Sequence, residues 1–127
     1  MGKVIEKITL TNIFDPSKMV EIDAVIDSGA TMLALSQDVV ERLALQKDRD
    51  VRVRYENNHY EVRAVYGVVE VELLGRKGSF DVLAEPIGAT PLVGYVVLEI
   101  LDLLTDAKSR KLIPNPASPE MPMMEML

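Results

Sequence analysis

Two runs near the start of the chain carry the period of a β-strand. In residues 4–10, Val4, Ile8 and Leu10 are apolar at even positions, with Glu6, Lys7 and Thr9 among them. Residues 19–26 begin in alternation and end in the continuous apolar run Ala24-Val25-Ile26, so this strand is predicted to pass into a core. Phe14-Asp15-Pro16-Ser17-Lys18 lies between them and supplies turn residues, so the pair reads as a β-hairpin. Residues 36–45 predict a short helix, with Ser36 as N-cap, Asp38 in the first turn and Val39, Val40, Leu43 and Ala44 on one apolar face. Alternation resumes over 51–65. Val51, Val53 and Tyr55 alternate with Arg52, Arg54 and Glu56, and Tyr60, Val62 and Ala64 follow Asn57-Asn58-His59. Asn tolerates the left-handed backbone of a tight turn, so a second hairpin is predicted here, charged enough to project from the body.

Residues 68–74 and 80–84 read as strands joined by the turn Gly75-Arg76-Lys77-Gly78. After the apolar run Pro91-Leu92-Val93-Gly94, residues 95–104 place Val97, Leu98, Leu101 and Leu104 at helical spacing, and 111–113 read as a last strand. From Pro114 the character changes. Pro114, Pro116, Pro119 and Pro122 lead into Met123-Met124-Glu125-Met126-Leu127, which reads as a tail, disordered or docked on a neighbour. The chain thus divides into a domain over 1–113 and a Pro/Met-rich tail over 114–127. The fold class is all-β with one or two short helices.

Composition narrows the chemistry. A chain of 127 residues with 48% apolar content is one ordinary domain that can bury a core unaided. It has no Cys, which excludes a disulfide scaffold, a Cys-based zinc site and a thiol nucleophile. Its one His leaves no His-rich metal site. A net charge of −6 disfavours nucleic acid, and the basic stretch 49–54 is interleaved with Asp48 and Asp50, as a solvated strand edge would be. Residues 1–4 carry no apolar leader, Glu6 stands where a myristoylation signal needs Ser or Thr, and the apolar stretch 92–104 is broken by Glu99 and Asp102. The expectation is a cytoplasmic protein that binds neither membrane nor nucleic acid.

The segment that bears chemistry is Val25-Ile26-Asp27-Ser28-Gly29-Ala30-Thr31. An Asp at the end of a hydrophobic strand is costly to bury ionised. Gly29, two residues on, lets the chain turn so that a main-chain N–H points back at the carboxylate, and Ser28 brings a hydroxyl to the loop. Such a loop holds one carboxylate in a partly dry place. The plain alternative is a strand-end turn residue. The phosphate loops of sugar kinases and actin-like ATPases need two lobes and far more chain, and an aspartyl-phosphate loop would want a second Asp where Gly29 stands.

Asp27-Ser28-Gly29-Ala30-Thr31 resembles the active-site loop of the retropepsin-like aspartic proteases, the retroviral enzymes and their cellular relatives. A hairpin precedes the loop, a second hairpin whose turn is Asn57-Asn58-His59 falls where the family has its flap, and Leu92-Val93-Gly94 followed by a helix matches the family's second motif. The resemblance covers residues 4–113 and implies a closed acid-protease barrel. It also implies peptide-bond hydrolysis by two carboxylates that share a proton. With a single Asp-Ser-Gly in the chain, the implied enzyme is a homodimer with Asp27 of each subunit at a two-fold axis, acting on a peptide or protein substrate without metal or cofactor.

In that reading Asp27 is catalytic, Ser28 bonds across the axis, Gly29 gives its N–H to the carboxylate, and Ala30 and Thr31 complete the loop. Asn57, Asn58 and His59 cover the substrate, and Val93 and Gly94 belong to the scaffold behind the loop. Ala30 cannot make the hydroxyl bond that bilobal relatives often make to the Asp, which implies a less acidified dyad with an optimum nearer neutral. The flap tip departs from retroviral ones in having no Gly between Gly29 and Gly67. The competing reading is a non-proteolytic dimerisation or peptide-binding module of the same fold. His59 on a polar turn reads as solvated, Arg52, Arg54 and Arg63 as an exposed strand face, and Tyr55, Tyr60 and Tyr66 as cross-strand packing or substrate contacts.

Overall fold

The computed structural model describes residues 3–127. The molecule is mostly β with two short helices. Strands β1 (Val4–Asn12) and β2 (Met19–Ile26) form the first hairpin, with Val4 opposite Ile26 and Thr11 opposite Met19. The even positions Ile8, Leu10 and Asn12 of β1 point inward, as the alternation requires. β3 (Leu33–Ser36) runs directly into α1 (Gln37–Arg42), and β4 (Gln46–Tyr55) and β5 (His59–Leu73) form the long second hairpin. β6 (Arg76–Glu85), β7 (Leu92–Val93) and α2 (Tyr95–Leu101) follow, and β8 (Leu103–Asp106) pairs with β9 (Lys111–Pro114) in a small separate sheet.

The main sheet has the order β1-β2-β7-β3-β6-β5-β4, and it coils until β1 also pairs with β5 over Thr9–Asn12. The closed barrel expected from the resemblance does not form. β7 is two residues long, its link to β3 rests on the single pair Ala34 and Leu92, and β4 remains outside as an edge. That edge carries Lys47, Asp48, Arg49, Asp50, Arg52 and Arg54, charges that discourage pairing with another chain. The core inside the coil joins Ile8, Leu10, Leu33, Leu35, Val69, Val71, Val82, Val97 and Leu101, all fully buried.

Several boundaries differ from those read in the chain. The first helix ends at Arg42, and Ala44 turns left-handed (φ 54°) and is exposed, so it leaves the apolar face that Val39, Val40 and Leu43 keep. The second helix ends at Leu101 because Asp102 adopts a left-handed conformation (φ 56°, ψ 51°), and Leu104 becomes an exposed strand residue. The segments 51–65 and 68–74 are not separate on their shared side, since β5 runs unbroken through both. The connection to β6 is Leu74-Gly75, both with positive φ, the sign pattern of a type I′ turn whose twist suits a hairpin, so Arg76 and Gly78 lie in β6.

The segment after Pro114 lies against the body of its own chain. Arg76, buried in β6, donates from Nη1 to the carbonyls of Leu101 and Asp102, each at 3.0 Å, and from Nη2 to the carbonyl of Ser118. The Asp102 carboxylate accepts from Asn115 Nδ2 (3.0 Å), from the Ser118 hydroxyl and from the Met123 amide (3.1 Å). Those donors, Ser118 first, hold Asp102 below the usual carboxylate range.

Candidate active site

Asp27 follows the last residue of β2, and its placement is decided by β7. β2 and β7 run parallel, Val25 beside Leu92 and Ile26 beside Val93. The amide of Val25 donates to the carbonyl of Pro91 and the amide of Asp27 to that of Val93, each at 2.9 Å. The chain then turns, with the Ala30 amide on the Asp27 carbonyl at 3.1 Å. The Gly29 amide donates to Asp27 Oδ1 at 2.9 Å, the bond the spacing of Asp and Gly predicts. Asp27 is half-buried, while Ser28 and Gly29 face solvent. No other hydrogen bond from the described residues reaches the Asp27 carboxylate, so Oδ2 is free to bind a water, a substrate group or a second carboxylate.

The far side of the loop is held by α2. The first amides of a helix have no partner within it. Here Tyr95 donates to the carbonyl of Ala30 at 2.7 Å and Val96 to that of Thr31 at 2.9 Å. Gly94 makes this approach possible. A Cβ at that position would strike the Met32 carbonyl and lie 2.7 Å from the Met32 amide and 2.8 Å from the Ala30 carbonyl. At Gly29 an added Cβ would sit 3.2 Å from Asp27 Oδ1, tight against the carboxylate itself. Asp27, Ser28, Gly29, Ala30, Thr31, Val93 and Gly94 therefore form one braced unit.

Asn57, Asn58 and His59 are not part of that unit. They lie in a 3₁₀ turn (Glu56–Asn58) and at the start of β5, all exposed, with Asn57 and Asn58 left-handed at φ 67° and 56°. No hydrogen bond among the described residues joins them to 27–31. His59 is exposed, as its polar turn suggests, lies 2.6 Å from the Glu61 carboxylate and has its ring centre 6.3 Å from that of Tyr55. What does reach the loop is the inner face of the same hairpin. Val51 and Val53 pack against the buried cluster Ala34, Val65 and Leu83, and Met32 and Leu92 from the segments flanking the Asp27 loop pack against the same cluster. Sequence patterning shows Val51 and Val53 as inward positions but does not show what they face.

A second feature of the hairpin was not visible in the sequence. Arg63 does not join Arg52 and Arg54 on an exposed face, because it lies opposite Val51 on the other side of the ladder. It reaches Glu85 at the end of β6, Nε to Oε1 at 2.9 Å, and the Tyr55 hydroxyl donates to the same carboxylate at 2.7 Å. Burial, then the Glu85 carboxylate, raises the Tyr55 hydroxyl, and Glu85 raises Arg63. Exposed pairs such as Lys7–Glu21, with side chains 65% and 59% open, contribute about 0–1 kcal/mol at most. Arg63 and Glu85 are 24% and 14% open and share a third partner, so theirs is the ion pair with structural weight.

An open groove of about 520 Å³ lies behind the loop, lined by Thr31, Met32, Phe80, Val96, Val97 and Ile100 among others. Asp27 does not line it, so it is not the cleft of that carboxylate. Among the described residues no three His, Cys, Asp or Glu side chains gather as a metal site, and no helix is long and apolar enough to cross a membrane. No family model matches the chain, and no curated protein matches it.

Proposed function

We propose that the chain is a retropepsin-type aspartic endopeptidase, active as a homodimer in the cytoplasm. The observation that carries this reading is Asp27. Its carboxylate takes the Gly29 amide on Oδ1, leaves Oδ2 free, and sits on a solvent-facing loop braced from behind by β7 and α2. One carboxylate cannot serve as base and acid together. Two of them about 3 Å apart cannot both ionise, so one holds the shared proton. In a dimer with Asp27 of both subunits on the axis, the ionised carboxylate takes a proton from a water as it attacks the scissile carbonyl. The protonated one gives its proton to the carbonyl oxygen. Collapse of the tetrahedral intermediate then breaks the C–N bond, and the amine leaves with a proton from the dyad.

The other residues follow from their places. Ser28, exposed beside Asp27, bonds across the axis. Gly29 lines the channel where a side chain would crowd the carboxylate. The hairpin, which shares the Ala34, Val65 and Leu83 cluster with Met32 and Leu92, covers an extended peptide that pairs with channel and hairpin by strand addition, and Asn57, Asn58 and His59 meet it at the tip. The glycine-free tip is the feature on the side of a module that binds peptide without cleaving it.

The test is cleavage of a denatured-protein or peptide-library substrate from pH 3 to 8 by wild type and Asp27→Asn, with mass measured in parallel. Cleavage that is lost in the variant and blocked by a statine-type inhibitor supports the dyad. A dimeric wild type that binds but does not cleave moves the reading to the peptide-binding module.

A further inference from the structure

We propose that Tyr55, Arg63 and Glu85 act as a lock that sets the angle of the β4–β5 hairpin over the Asp27 loop, and that they are positioning residues of that site. The three side chains come from three strands. Tyr55 is the last residue of β4, Arg63 lies early in β5, and Glu85 ends β6. The Tyr55 hydroxyl donates to both Glu85 oxygens, at 2.7 and 2.9 Å, and accepts from Arg63 Nε at 3.1 Å, while the same Nε reaches Glu85 Oε1 at 2.9 Å. The guanidinium carbon also lies 5.7 Å from the centre of the Tyr55 ring.

The place of this triad gives it leverage. β5 and β6 are paired at Val65 and Leu83, and no pair is formed further toward the hairpin tip. Beyond that point the hairpin leaves the sheet, and the triad ties it back. At the other end, Glu85 opens a short turn, with the Ala89 amide on the Pro86 carbonyl, that leads to Pro91. The Pro91 carbonyl is bonded by Val25, two residues before Asp27. The triad therefore fastens the hairpin to the segment that carries the support of the catalytic loop.

The consequence for turnover rests on the protease reading, but the lock itself does not. The test therefore has two arms on the full chain. In the first, hydrogen exchange of the amides in 53–61 is compared among wild type, Glu85→Gln, Tyr55→Phe and the exposed control Lys7→Gln. Glu85→Gln removes the charge, and Tyr55→Phe removes only a hydroxyl, so it serves where the first variant folds poorly. Loss of a charge-assisted hydrogen bond predicts about a tenfold loss of protection in 53–61, with the β1–β2 amides unchanged. Unchanged protection at 53–61, or an equal loss throughout the molecule, overturns the lock. In the second arm, KM for the cleaved peptide rises several-fold in both variants while kcat stays within about twofold, the pattern of lost binding alignment. A fall in kcat at constant KM overturns the positioning role. If wild type cleaves nothing, the protease reading fails on its own, and the exchange arm still decides the lock.

Discussion

The amide of Tyr95 donates to the carbonyl of Ala30 at 2.7 Å, so the first turn of α2 is capped by the loop that carries Asp27. Helix and loop satisfy each other's backbone, and the contact is close enough that only a residue without a Cβ fits between them, at Gly94.

Gly94→Ala therefore acts on the site from behind. The new methyl would meet backbone of Met32 and Ala30, which cannot rotate away. Overpacking of this kind costs about 1–3 kcal/mol, and the rigid partners place this case at the upper end. The expected result is a lower urea midpoint with an unchanged slope and, on the protease reading, loss of cleavage.

The absence of a hydroxyl at residue 30 bears on pH. On the protease reading, the missing hydroxyl at Ala30 places the expected activity maximum toward neutral. The pH–rate profile of a dimeric sample checks this. A maximum below about pH 3 would contradict it.

Asp102 governs a different acid response. Its folded pKa is depressed by Ser118, Asn115 and the Met123 amide, so protons bind the unfolded state more readily. The stabilisation it gives the 115–123 segment is present above the ordinary carboxylate range, about pH 4, and is lost as pH falls through the lower folded value. Protection of the 115–123 amides, taken against their intrinsic exchange rate at each pH, should be flat from neutral down to that range and fall below it. Asp102→Asn should show the lowered protection already at neutral pH.

Arg76→Met tests the buried clamp on the same segment. The substitution keeps much of the stem's packing but leaves the carbonyls of Leu101 and Ser118 without this donor, while the Asp102 carbonyl keeps the Asn115 amide at 3.0 Å. An unsatisfied buried acceptor costs about 1–3 kcal/mol, and two sharing one lost guanidinium place the expected loss of stability at roughly 3 kcal/mol by urea unfolding. Arg76→Lys should recover only part of it, because one ammonium cannot fork across three carbonyls.

The parts of this architecture that were legible in the chain are those whose cause is local. Alternation at Val4, Ile8 and Leu10 sets the inner face of β1, the Asn57-Asn58 pair supplies the two left-handed residues at the hairpin tip, and Gly two residues after Asp27 places an amide on the carboxylate. The misreadings are equally specific. Leu104 keeps helical spacing with Leu101, yet Asp102 turns left-handed between them because its carboxylate is held by Asn115 and Ser118. Arg63 looks like one of three exposed arginines until strand register puts it opposite Val51, on the side of Glu85.

By itself, then, the sequence determined the first hairpin, the arms and tip of the second and the single Asp-Ser-Gly loop, because period and turn chemistry depend on residues a few positions apart, but it marked neither β3 nor β8. Only the tertiary structure decided that two residues, Leu92 and Val93, slip between β2 and β3 to carry Asp27, that Gly94 lets α2 cap the loop, and that Tyr55, Arg63 and Glu85 meet. Those contacts join segments far apart in the chain. They are selected by burial and pairing across the whole coiled sheet, which leaves no local period in any one of the segments it brings together.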